Sequence, residues 1–140
     1  MLDERTRAFL SDRAALIVGF VGPDGRPRAM RGWGMEIPDD DPSRCRLLLE
    51  QCEVPFLEHL VPGGLVAVTG ADVVSLSSIG LKGPIESIEP VEQHDIDHHL
   101  RHCAAFFDDI DALSGAFDER VLNVADRLRH AHAGVAHDAE

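Results

Sequence analysis

Hydrophobic and polar positions follow two different periods along the chain, and the change falls at Pro90. From Ala14 to Val21 the residues are apolar on both alternating faces, which predicts a strand covered on both sides. Pro23-Asp24-Gly25 then supplies a fixed φ, a carboxylate able to bond its own backbone and a residue tolerant of positive φ, the ingredients of a turn. The chain returns with period-2 alternation. Arg28, Met30, Gly32 and Gly34 fall on one face, and Ala29, Arg31, Trp33, Met35 and Ile37 on the other. This stretch predicts a β-hairpin. Glycine inside a strand marks a bulge or bend, or a close approach by a ligand or another backbone, and Gly32 and Gly34 admit either reading.

The hairpin has a short helix before it, over residues 2–11, anchored by Leu2, Phe9 and Leu10; its polar ring, Asp3, Glu4, Arg5 and Arg7, reads as a solvated face. Pro38 to Pro42 is a loop, and Arg44 to Leu49 a third strand. Glu53-Val54-Pro55 opens a short helix with Phe56, Leu57 and Leu60 on its buried stripe, stopped by Pro62-Gly63-Gly64. Leu65 to Thr69 is a fourth strand, Gly70-Ala71-Asp72 a turn or bulge, and Val73 to Leu81 a fifth strand. Lys82-Gly83-Pro84 interrupts it before Ile85 to Ile88 resumes extended structure. Beyond Pro90, Ile96, Leu100, Cys103, Phe107 and Ile110 recur at helical spacing, and Ser114 caps a last helix whose apolar face is Val121, Leu122, Ala125 and Leu128. The expected fold is mainly β with flanking helices (α+β). It forms one domain over residues 1–140, with an antiparallel barrel over about 14–89 and C-terminal helices over about 91–132.

Composition narrows the function classes. The chain has 140 residues, a net charge of −12 and 13 lysines and arginines, which disfavours nucleic acid and anionic membrane surfaces as partners. Cys45, Cys52 and Cys103 form no Cys-x-x-Cys pair, so neither a disulfide framework nor a cysteine zinc site is expected and a reducing cytoplasm fits. The N-terminus lacks an apolar signal core, and no apolar run approaches membrane-spanning length. Strands apolar on both faces need more cover than a few short helices provide, which predicts a homodimer.

The order of elements resembles the pyridoxamine 5'-phosphate oxidase-like family, the FMN-binding split barrels. The residues that carry the resemblance are Ala14 to Met35, Arg44 to Glu50, the Val54 to Leu60 helix, Gly64 to Thr69 and the run Ser77-Ser78-Ile79-Gly80-Leu81-Lys82-Gly83. The resemblance covers residues from about 5 to about 110 and is one of order and pattern. It implies a homodimer that holds FMN, or a deazaflavin, between subunits, and a flavin-dependent oxidoreductase acting on a small molecule. Arg28 and Arg31 lie on the strand where relatives place cationic cofactor contacts, and because they differ in parity they share a face only if a bulge intervenes. Lys82 is a further phosphate candidate, Trp33 a ring-stacking candidate and Ser77 a hydrogen-bonding one; no acid or base is assigned. Where relatives carry a polar and basic cluster at the mouth of the short helix, this chain reads Glu50-Gln51-Cys52-Glu53, which repels phosphate. Either the phosphate is held differently, or the ligand differs, or the cofactor has been lost. The alternative function is a cofactor-free or non-flavin binding dimer of the same fold.

Other constellations read as structural. His94, His98 and His102 share a helical face as a metal or haem site would require, but that face lies opposite the apolar stripe. The expectation is three solvent-facing imidazoles and no metal, with His99 at the boundary. Asp39, Asp40 and Asp41 belong to a solvated loop. Ser75, Ser77 and Ser78 lack a nucleophile elbow, and Gly32-Trp33-Gly34 lacks the context of a dinucleotide fingerprint.

Overall fold

The computed structural model describes residues 2–49 and 58–114. Helix α1 (Glu4–Asp12) leads into strands β1 (Ala15–Val21), β2 (Pro27–Glu36), β3 (Arg46–Leu49), β4 (Leu65–Ala71) and β5 (Ser78–Pro84), and the long helix α2 (Gln93–Ser114) follows. The strands form one sheet in the order β3-β2-β1-β4-β5, with every neighbour antiparallel. The fold is therefore α+β and mainly β. Among the described residues the sheet is open, with β3 and β5 as its edges, where a split barrel was expected. The extended stretch expected over Ile85 to Ile88 adds no strand. The short helix expected over Val54 to Leu60 falls mostly on residues 50–57, and the last helix beyond Ser114; both lie outside the described residues, as do Glu50, Cys52 and Glu53.

Local chemistry explains the elements. Asp3 caps α1, its carboxylate accepting the Thr6 N–H at 2.7 Å, and Arg7 of the expected solvated ring is ion-paired with Asp39 at 3.2 Å. The β1–β2 turn is closed by the Gly22 N–H donating to Arg26 O and the Gly25 N–H to Gly22 O, with Gly25 at φ 72°. The fifth strand begins later than its β-branched residues suggest. The Asp72 carboxylate accepts the N–H groups of Val74 (2.8 Å) and Ser75 (3.2 Å), and the Leu76 N–H donates to Asp72 O, so Asp72 to Ser77 turn instead of extending. Strand β5 then runs through Lys82-Gly83-Pro84 without interruption, because an edge strand tolerates proline.

The sheet carries two separate apolar clusters. One face holds Leu16, Val18, Phe20, Met30 and Val68 beneath Leu10 of α1. The other holds Trp33, with Cys103, Phe106 and Phe107 of α2 packed on it. The register of β2 against β3 shifts between Gly32 and Met35, and this bulge sends Trp33 to one cluster and Met35 and Ile37 to the other. Strict alternation, which would have kept the three together, fails there. Leu16 is paired with Gly32 on one side and Gly70 on the other, and the two glycines give its side chain room. A Cβ at Gly70 would overlap Leu10 Cδ2, and Leu10 is fully buried with nowhere to move. Gly70→Ala is therefore expected to destabilise the fold by about 1–3 kcal/mol through overpacking, measured by chemical denaturation; an unchanged midpoint would show that α1 does not press on this strand as described.

Candidate functional site

Helix α2 reaches the sheet through polar side chains as well as through Cys103, Phe106 and Phe107. In its first turn Asp95, 1% exposed, accepts the Glu92 N–H (2.9 Å) and a two-pronged contact from Arg46 of β3 (2.7 and 2.8 Å). The Arg46 guanidinium chiefly, and the Glu92 N–H further, hold the Asp95 carboxyl at about 2 against its burial. One turn on, His98 Nε2 donates to Met35 O at 3.0 Å, and His99 Nδ1 to Trp33 O at 2.9 Å. His102, 3% exposed, has Nε2 3.0 Å from Ala14 O and Nδ1 3.2 Å from Ser11 O, at the junction of α1 and β1. The expectation of three solvent-facing histidines is thus corrected: His94 is exposed, His98 is half-buried and His102 is buried. Leu100, assigned to the buried stripe, is 46% exposed instead. Hydrogen bonding to carbonyls turns His98 and His102 inward beside Cys103 and Phe107 of the stripe. Nε2 of His98, Nδ1 of His99 and the ring nitrogens of His102 face main-chain carbonyls, and no group of three or more metal-ligating side chains occurs among the described residues.

Arg31 is the unusual side chain of this region. Its guanidinium lies 4.9 Å from the Trp33 ring centroid and 4.8 Å from that of Phe106. Its Nε is buried and makes no hydrogen bond, and no acidic residue among the described ones pairs with it. Arg7, whose Nε is likewise buried and unbonded, has Asp39 as a partner. Burial lowers the Arg31 pKa from its ordinary value, so the site bears the cost of a half-desolvated cation with no anion beside it among the described residues. Phe106 has no part in the sequence-derived site. It stands one residue before Phe107 of the stripe, and nothing in the spacing marks its contact with Arg31.

Arg31 borders a part of the sheet that α2 leaves uncovered. Pairing places Arg31 opposite Ile17, Ile17 opposite Thr69 and Thr69 opposite Gly80. The adjoining row is Ala29, Gly19, Ala67 and Lys82. The floor of this face is therefore made of small side chains, flanked by apolar Ile17 and exposed Val21 and Leu65. None of these positions is acidic, although the chain carries 25 carboxylate residues; the two charges are cations, at Arg31 and Lys82. Three inter-strand steps and one two-residue step separate the two by about 16 Å between Cα atoms.

The remaining sequence-derived residues lie elsewhere. Arg28 is committed to the β1–β2 turn, its two terminal nitrogens bonding both Asp24 oxygens at 2.7 Å. Hydrogen bonding to Arg28 holds the Asp24 carboxyl far below the usual range. Ser77 sits in the β4–β5 turn, its carbonyl accepting the Asp72 N–H at 2.8 Å, remote from Arg31 in the sheet order. Trp33 lies beside Arg31, 8% exposed, and Lys82 is exposed on β5. Among the described residues no helix is long and apolar enough to cross a membrane. No family model, curated protein or solved structure matches the chain.

His102 gives the region a pH dependence with a definite sign. Burial, opposed by the Ser11 and Ala14 carbonyls, lowers its pKa below 6.5, while the neighbouring His98 and His99 lower it further. The unfolded chain then takes up the proton first as pH falls. Stability is complete above pH 6.5 and declines as pH drops from there toward the folded-state value. Denaturation midpoints followed from about pH 7.5 to about pH 5 are expected to fall, and His102→Gln, which retains a donor without titrating, is expected to remove part of that fall. An identical pH profile in the variant would contradict a neutral buried His102.

Proposed function

We propose that the uncovered sheet face binds a planar anionic ligand, that this ligand is flavin mononucleotide, and that the chain is a flavin-dependent oxidoreductase acting on a small molecule. The observation that carries the reading is Arg31: a cation fixed between two rings, with no anionic partner among the described residues, at the border of a floor without carboxylates. A guanidinium gripped on both faces leaves its N–H edge for a phosphate or carboxylate, and its geometry is set before the ligand arrives. Gly19, Ala29, Ala67 and Gly80 let a flat ring approach the backbone, and Lys82 contributes a second positive charge from the edge strand. Arg28 is no longer an equal candidate, since Asp24 occupies both of its terminal nitrogens. When bound, the flavin supplies hydride chemistry; the chain's own part is to hold the phosphate, support the ring and lower the polarity around it.

A cofactor-free binding role remains the second reading, favoured by Val21 and Leu65, 63% and 74% exposed on the same face, which suit an apolar partner as well as a flavin. Titration of FMN into the protein, followed by quenching of flavin fluorescence, separates the two. Saturable binding is expected for wild type and for Arg28→Ala. For Arg31→Ala a loss of about 1.5–3 kcal/mol is expected, tenfold or more in affinity. Absence of saturable binding to wild type overturns the flavin reading, and equal affinity in Arg31→Ala removes Arg31 from it.

A further inference from the structure

The turn between β4 and β5 displays apolar side chains where turns ordinarily display polar ones. Leu76 is 85% exposed and Val74 54%. Leu76 also holds φ at 61°, a left-handed conformation that suits glycine or asparagine. The turn is firmly built all the same: the Asp72 carboxylate accepts the Val74 and Ser75 N–H groups, and the Leu76 N–H donates to Asp72 O. A leucine kept in a costly backbone state at the surface points to a contact that uses its side chain.

The end of α2 lies beside this turn. Val73 of the turn and Ile110 of the helix pack against the same cluster of Trp33, Cys103, Phe106 and Phe107. Arg13 is ion-paired with Asp109 of α2 at 3.0 Å, and its charge also reaches Asp72. The Asp72 carboxyl is held below its ordinary range chiefly by the Val74 N–H and in smaller part by Arg13. From Ile110 to Ser114, the last residue of α2, the helix advances by about 6 Å. Three more residues reach at most about 10 Å, so Phe117 comes within range of the turn. Phe117, Val121, Val124 and Leu128 recur at steps of four and three, the spacing of one helical face. The chain thus leaves α2 next to an exposed apolar turn and carries an apolar stripe as it continues over residues 115–140.

We propose that residues 115–128 of this chain dock back on the β4–β5 turn, with the apolar stripe that starts at Phe117 seated on Val74 and Leu76. The contact is made within one copy and does not depend on the flavin reading, so the test uses the full chain without ligand. Amide hydrogen exchange, read by mass spectrometry, is followed in wild type, Leu76→Asn, Val121→Asp and Ile88→Asp. Asparagine suits the φ of position 76, so Leu76→Asn keeps the turn and removes only the apolar side chain. Ile88, 58% exposed, precedes Glu89, which is paired with Arg46 on the other edge strand, and serves as the control for an added charge. Wild type is expected to exchange over residues 117–128 at least about tenfold more slowly than the same sequence unstructured. Leu76→Asn and Val121→Asp are expected to lose most of that protection while the amides of β1 and β4 keep theirs, and Ile88→Asp is expected to match wild type. An unprotected segment in wild type, protection that survives Leu76→Asn or Val121→Asp, protection lost as fully in Ile88→Asp, or protection that falls on dilution and so places the segment on a second copy would each overturn the proposal.

Discussion

The structure depends on main-chain carbonyls at the end of β2 that the sheet itself does not satisfy. The pairing of β1 with β2 stops at Leu16 and Gly32, so the stretch after Gly32 runs on without that neighbour, and the register shift against β3 falls in the same place. Unpaired carbonyls inside a protein are costly. His99 and His98 donate to Trp33 O and Met35 O, two residues apart on the strand, while His102 meets the carbonyls that close α1. The orientation of α2 follows from these bonds, and the placing of Phe106 and Phe107 over Trp33 follows from that orientation. Arg31 then lies in the aromatic crevice that results. An anchoring problem in the sheet thus determines the shape of the candidate site.

The two faces of the sheet are treated differently. One is sealed by α1, whose Leu10 presses on Gly70 and packs with Leu16 in a closed cluster. Among the described residues the other is sealed at its Trp33 end, leaving small residues and a few exposed aliphatic ones bordered by two cations. Among the described residues Arg13 is tied to Asp109, Arg28 to Asp24, Arg44 to Glu86 and Arg46 to Asp95 and Glu89, while Arg5, Arg26 and Arg101, which make no such pair, are exposed. Arg31 differs from both groups: it is half-buried and stacked, and no described acid pairs with it.

Much of the fold was legible in the residue pattern. The β1–β2 hairpin, its Pro-Asp-Gly turn, the antiparallel sheet, the first helix and the switch to a helix after Pro90 all follow from period and turn chemistry. Two of the errors share one physical origin: side chains bonding to backbone overrode hydropathy. Asp72 turned Val73 and Val74 away from the strand they were expected to start. The histidines of α2, polar by composition, went inward because carbonyls awaited them, and Leu100 went outward. The β2 bulge, one of the readings open for Gly32 and Gly34, separated Trp33 from Met35, and periodicity alone could not place it on one side of the pair or the other. In the site, the pattern singled out Arg31, Trp33 and Lys82, but spacing carries no information about Phe106 over Arg31 or about Asp24 occupying Arg28.

The histidine–carbonyl anchoring of α2 makes its tolerance of sequence change lopsided. An acceptor that belongs to the main chain is present whatever side chain the residue bears. Variation at Ser11, Ala14 or Met35 can disturb packing, yet it leaves the carbonyl in place. The donors have no such protection: exchange of His98 or His102 for an aliphatic residue removes the bond outright and strands an acceptor. Over evolutionary time the strand end is free to drift in composition so long as its path is kept, while the helix must hold its imidazoles or acquire other donors of similar reach. The helix register is therefore recorded in a few imidazole positions, and the surface that it grips can diverge around them.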